Sequence, residues 1–312
     1  MVLIPSKAIS NVVAYIKSRQ GEDGGYLFYQ YEDIFESSVD DTYYALAALK
    51  LLREEIPNKN RTLKFLYSKI EDLNLHSAYY WVNALHILQE RPQGASKVDA
   101  LSMLSGRANK WVERLVRSDM LDFERVSLES DLDRSRDSSA EISSIELPTQ
   151  LEQLFKTLDT IKKLGLKVKQ PNIRDEVIKK VLSFLKPDHG FGFTNSDVPS
   201  TFYSLTILST LDYPLTDLEK TGDWILELED REGGFNVKPN SRFRVLEYTY
   251  EAIKALRLLG KKPKFIQSHV DFILECQNAN GGFRRSIFAG ISTLKDTFYA
   301  IGTFAELDLL TL

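Results

Sequence analysis

Gln277-Asn278-Ala279-Asn280-Gly281-Gly282-Phe283, followed by Asp296-Thr297-Phe298-Tyr299-Ala300-Ile301, is the stretch whose reading decides the fold. An amphipathic run ends in polar residues and two glycines, an aromatic follows, and a second apolar run opens on a capping residue. The same order recurs at Gln20-Gly21-Glu22-Asp23-Gly24-Gly25-Tyr26, at Pro187-Asp188-His189-Gly190-Phe191-Gly192-Phe193 and at Asp230-Arg231-Glu232-Gly233-Gly234-Phe235. Nine of the sixteen glycines fall in these four places, so glycine marks a repeat here rather than scattered loops. Glycine supplies the positive φ that ends a helix, and Asp, Ser or Thr suits the start of the next one.

The second runs are versions of one element: Asp40-Asp41-Thr42-Tyr43-Tyr44, Ser200-Thr201-Phe202-Tyr203, Tyr248-Thr249-Tyr250-Glu251 and Asp296-Thr297-Phe298-Tyr299. Two further hairpins keep the helical period without the glycines. One spans Arg61 to Gln89; the other joins a helix near Ala108 to Val116 with one near Leu151 to Leu164. Between the last two, a polar loop or linker is expected at about 127–147, rich in serine and charge. Strand signals are almost absent. Six hairpins in 312 residues predict an all-α protein, a single domain over 1–312, because no such hairpin buries its apolar face alone. Periodicity leaves open whether the hairpins stack as an open solenoid or close into a ring.

Composition narrows the function. Hydrophobic residues make up 43% and charged residues 27%, which excludes a disordered or fibrous chain. A net charge of −4 argues against nucleic acid as a partner. The single cysteine, Cys276, makes neither an intrachain disulfide nor a multi-cysteine metal site, which fits a reducing, cytoplasmic setting. No apolar run reaches the roughly 20 residues that span a bilayer, and Met1-Val2-Leu3-Ile4-Pro5-Ser6-Lys7 does not read as a secretion signal.

The glycine-glycine-aromatic turns, Cys276-Gln277 and the Asp-Thr-aromatic-Tyr helix starts resemble the α/α toroid superfamily of protein prenyltransferase β subunits and class II terpene cyclases. The resemblance implies an (α/α)6 toroid whose second helices line a central apolar cavity, and a transferase or isomerase acting on an isoprenoid or other elongated apolar molecule. It also leaves room for a helical partner subunit. Zinc in the prenyltransferases is held by Asp, Cys and His; those positions fall at about Val245, Glu247 and Asp296 here, so no ligand matches. The resemblance therefore implies a toroid without thiolate–zinc chemistry. Magnesium is left open by the aspartates Asp131, Asp133 and Asp137, although Ser and Arg interleaved among them read as an exposed loop.

Two segments match functional parts of those relatives. The basic run Lys238, Arg242, Arg244 with Tyr248 corresponds to the segment that holds an isoprenoid diphosphate, and Arg284 and Arg285 follow the next turn. Asp40, Asp41 and Thr42 resemble the acid motif of class II cyclases, with Ser38 where the first aspartate belongs. Asp40 would then be a general acid, and helix capping explains Asp41 without chemistry. Tyr44, Tyr203 and Tyr299 are the candidate walls of the cavity. A non-catalytic binding or scaffold toroid is the remaining alternative.

Overall fold

The computed structural model describes residues 4–28, 36–89, 139–165, 172–288 and 290–310. Among them are eleven α-helices: α1 (Ser6–Ser18), α2 (Val39–Leu51), α3 (Lys59–Ser68), α4 (Leu75–Ile87), α5 (Ser139–Leu164), α6 (Ile173–Leu182), α7 (Val198–Thr210), α8 (Glu219–Glu227), α9 (Leu246–Leu258), α10 (Ile266–Glu275) and α11 (Leu294–Glu306). Two two-residue strands, β1 (Tyr26–Leu27) and β2 (Ser37–Ser38), pair antiparallel, so the protein is all-α. The expected helix near Ala108 to Val116, and Asp131, Asp133 and Asp137, lie outside the described residues. The expected loop at 127–147 needs one correction, since α5 runs back to Ser139 and through Pro148. Glu146, Leu147, Gln150 and Leu151 around that proline are good helix formers, and the helix continues through the local break.

Six helices form an inner ring. Helix α2 packs on α4, α4 on α5, α5 on α7, α7 on α9, α9 on α11, and α11 back on α2. Closure is thus a property of the tertiary contacts, and the open solenoid is excluded. Helices α1, α3, α6, α8 and α10 precede their inner partners and lie outside. The helices α2, α4, α7, α9 and α11 each have thirteen residues, and the last three begin at Val198, Leu246 and Leu294, a constant 48-residue step.

Each glycine turn is pinned to its inner helix by one threonine. The backbone N–H groups of Tyr26, Phe191, Phe235 and Phe283 donate to the hydroxyls of Thr42, Thr201, Thr249 and Thr297 over 3.0, 2.9, 3.3 and 3.1 Å. Three of these hydroxyls donate in turn to the carbonyl four residues back: Thr42 to Ser38, Thr249 to Val245 and Thr297 to Thr293. The four aromatic side chains are buried between the layers.

The ring is sealed where the last turn meets the first helix. Gln277 Nε2 donates to the Ala8 carbonyl over 3.0 Å, and Tyr15 OH donates to the Ser292 carbonyl over 2.9 Å. Gly281, at φ +89°, lies so close that a Cβ there would stand 2.3 Å from the Asn11 carbonyl oxygen. Gly260 has a similar positive φ, +68°, but nothing within 4 Å of its own Cβ position. Gly260→Ala is expected to cost about 1–2 kcal/mol from its backbone conformation alone. Gly281→Ala should cost more, because the seam itself must open; urea unfolding of the two variants checks the order.

Candidate site in the toroid lumen

Because the inner helices share one register, equivalent positions form rings. The sixth residues of α2, α4, α7, α9 and α11 are Tyr44, Tyr80, Tyr203, Glu251 and Tyr299, and Lys156 of α5 joins them around one cavity. Their predecessors Tyr43, Tyr79, Phe155, Phe202, Tyr250 and Phe298 fill the spaces between. Ring contacts run from Tyr43 to Tyr44, Tyr79, Tyr80 and Phe298, and from Tyr250 to Phe202, Phe298 and Tyr299, with centroids 5.3–6.5 Å apart. The cavity left is about 70 Å³, completed by Glu152 and Lys254.

One ring higher, at the helix starts, the second residues are Asp40 on α2, His76 on α4, Glu247 on α9 and Lys295 on α11. Glu247 accepts a hydrogen bond from Tyr299 OH over 3.0 Å, pairs with Lys295 at 2.8 Å, and lies 3.7 Å from Arg285. Burial pushes the Glu247 carboxyl up, but these partners outweigh it and hold it below the usual carboxylate range. Lys295 is raised against its own desolvation by the same pair. Arg285 lies over the Phe243 ring, which meets Tyr248 edge-on, so cation and aromatic groups share this side of the mouth.

On the opposite side, a line of polar side chains enters the lumen. Asp40 Oδ2 stands 3.8 Å from His76 Nε2, and His76 Nδ1 stands 3.4 Å from Lys156 Nζ. Lys156 pairs with Glu152 at 2.6 Å and donates to Tyr80 OH at 2.7 Å, and Tyr80 OH meets Tyr44 OH at 3.1 Å. Desolvation lowers the Lys156 pKa, with Glu152 opposing.

Asp40 is about two-fifths exposed. Burial raises its carboxyl, but His76, together with its own backbone and Lys156, outweighs this and leaves it lowered. A proton donor at neutral pH needs a raised carboxyl, and the shift at Asp40 runs in the other direction. Asp41 accepts the Ser38 hydroxyl over 2.7 Å while its N–H donates to Ser38 Oγ over 2.9 Å, a reciprocal cap at the start of α2. Thr293 and Asp296 repeat this arrangement on α11, so Asp296 is a capping residue. Val245 is the fully buried cap position of α9. Among the described residues no three His, Cys, Asp or Glu side chains converge to hold a metal ion. Cys276 is buried at the end of α10, where desolvation pushes its thiol up to about 12.

The basic segment divides. Lys238 and Arg242 are exposed, and the segment is tied to α7 by the Val198 N–H donating to the Val237 carbonyl over 2.8 Å. Arg244 is a correction to the sequence reading. Its guanidinium donates to Asp230, Glu232 and the Gly233 carbonyl and lies over Phe272 of the outer layer, so it braces the turn and is not free for a ligand. Sequence reasoning missed Lys156, Glu152, Glu251 and Lys295. The signal was present, because aligning the repeats by their threonines exposes Glu251 as the exception to an aromatic pair.

A family model for the prenyltransferase alpha-alpha toroid domain matches residues 2–114 and 141–309. The chain belongs to this family. No curated protein matches the sequence. Among solved structures, a Candida albicans protein geranylgeranyltransferase-I complexed with GGPP shares 13% identity at a TM-score of 0.63, covering 98% of this chain and 87% of its own. A protein from Actinoplanes shares 14% identity at 0.54, covering 98% and 99%. A type II terpene cyclase from Scytonema shares 10% at 0.50, covering 98% and 97%. At these identities the likeness is one of fold.

The cap at α2 carries a pH signature. Burial, reinforced by Asp40 and opposed by the Ser38 hydrogen bond, pushes Asp41 up to about 6. Against an unfolded value of about 3.9, the native state holds the proton more tightly between the two values. This contribution is fully present below about pH 4 and is lost as pH rises through 6, at most about 3 kcal/mol. Asp41→Asn is therefore expected to be more stable than the parent at pH 7 by about 1–3 kcal/mol, with the gap closing near pH 4. Urea unfolding across that range measures it.

Proposed function

We propose that this toroid binds a short isoprenoid diphosphate, or a similar branched apolar chain with an anionic head, and that it does so without a thiolate–zinc step. The carrying observation is an aromatic lumen under a mouth bearing Arg285 and Lys295. Tyr248 beside them, and Lys238 and Arg242 on the neighbouring segment, extend the same surface for a head group. Arg and Lys neutralise a diphosphate, and aromatic walls suit a prenyl chain. The GGPP carried by the Candida albicans relative supports the ligand class.

The cavity sets the length of chain. A water needs roughly 10–15 Å³ of such space, so about 70 Å³ holds about five atoms of comparable size. That is one five-carbon prenyl unit. Longer chains require Tyr43, Tyr44 or Phe298 to swing aside, against the close packing around them.

Calorimetric titration with dimethylallyl diphosphate, geranylgeranyl diphosphate and inorganic diphosphate tests the reading. The five-carbon ligand is expected to bind at least about tenfold more tightly than either other probe, and the double variant Arg285→Ala, Lys295→Ala to lose about tenfold in affinity. Absence of saturable binding by both prenyl diphosphates would sink it, as would equal affinity for inorganic diphosphate.

A further inference from the structure

Glu251 breaks the pattern of the ring in which it stands. Its equivalents on α2, α4, α7 and α11 are Tyr44, Tyr80, Tyr203 and Tyr299, yet Glu251 is only 2% exposed and lines the same cavity. Its Oε2 has no hydrogen-bond partner. A buried carboxyl without a full set of partners destabilises a fold, and a position that breaks a local rule at such a cost marks function. Several of the neighbouring polar groups are already committed to one another. Tyr44 and Tyr80 meet each other, Tyr80 also takes the Lys156 ammonium, Tyr299 donates to Glu247, and Lys254 donates to Tyr250.

We propose that Glu251 is the specificity-determining group of the lumen, donating a hydrogen bond to a hydroxyl or carbonyl oxygen at the buried end of the bound chain. The ligand class is thereby narrowed from a plain prenyl chain to an oxygenated one, a step that rests on the lumen being a ligand site. The charged surroundings agree with a donor. Desolvation, then the carboxylates of Glu247, Glu152 and Asp197, drive Glu251 well above the usual carboxylate range, with Lys295 alone opposing among the dominant influences. Lys156 and Lys254 line the same cavity but are engaged by Glu152 and Tyr80, and by Tyr250. A neutral carboxyl has one O–H to give, and an oxygen on the ligand accepts it. A hydrocarbon end leaves that group unpaired, and a site built around a hydrogen bond discriminates strongly against a partner that lacks one.

The test uses probes without a diphosphate, so that it stands apart from the head-group reading. Ligand-observed NMR compares 3-methylbutan-1-ol with its hydrocarbon counterpart 2-methylbutane on the full chain. The parent protein is expected to favour the alcohol by at least about tenfold, and Glu251→Leu to abolish that preference. Glu251→Gln, whose amide still donates, should retain much of it, and Glu251→Tyr, which completes the aromatic ring, should lose the alcohol while melting at or above the parent temperature. Infrared spectroscopy gives a second readout: a protonated carboxyl band present in the parent, absent in Glu251→Gln, and moved by the alcohol. Failure of the alcohol to bind, a parent preference below threefold, a Glu251→Leu variant that keeps the preference, or the missing infrared band would each overturn the proposal. If the alcohol preference holds while prenyl diphosphates do not bind, only the head-group reading falls.

Discussion

The hydrogen bond from a buried aromatic N–H to a helix threonine is the interaction on which the remaining architecture depends. Tyr26, Phe191, Phe235 and Phe283 follow the glycine turns, and their N–H groups lie deep between two layers of helices. Thr42, Thr201, Thr249 and Thr297 accept them. A net hydrogen bond of this kind contributes about 1 kcal/mol, whereas leaving the buried donor unpaired costs about 1–3 kcal/mol. The asymmetry makes each pin specific: an inner helix slid by one residue would strand both partners.

Fixed register has a consequence at the centre of the molecule. If every inner helix starts at the same height, residues at the same count from the start must meet around the axis, whatever their chemistry. In this chain those places are given to aromatic pairs, which fill the lumen down to about 70 Å³. Ionisable residues enter the same geometry at Lys156 and Glu251, and at the mouth as Asp40 with His76 and Glu247 with Lys295. The lumen is therefore neither an oily tube nor a filled core. Its polar groups are ordered in a low-dielectric setting, where each missing partner is felt strongly.

The same logic accounts for the residues at the positions that, by resemblance, correspond to zinc ligands in protein prenyltransferases. Positions near the mouth that resemble zinc-ligand sites hold Val245 as a buried cap, Glu247 in an ion pair and Asp296 in a capping pair. Each residue is occupied by a structural or electrostatic partner. Arg244 illustrates a related point: a basic residue in a segment that resembles a diphosphate site is used instead to brace Asp230, Glu232 and the Gly233 carbonyl.

By itself the sequence determined the four glycine-turn hairpins, because glycine turns, caps and apolar periods are local chemistry within about 50 residues. It also carried the aromatic pairs of the inner helices, which follow from counting along a repeat, while the mismatch at the zinc positions is what the family resemblance implies. The extension of α5 through Pro148 was not legible, as a local breaker was overruled by its neighbours. Ring closure, the size of the lumen and the partners of Lys156, Glu247 and Glu251 belong to the tertiary structure alone. They depend on residues up to 277 positions apart, as in the Tyr15–Ser292 seam, and no local period records which of two distant faces will meet. Burial then set the two carboxyls apart: desolvation raises both, but at Asp40 His76 outweighs it and the carboxyl is lowered, whereas at Glu251 desolvation and the neighbouring carboxylates outweigh Lys295 and the carboxyl is raised.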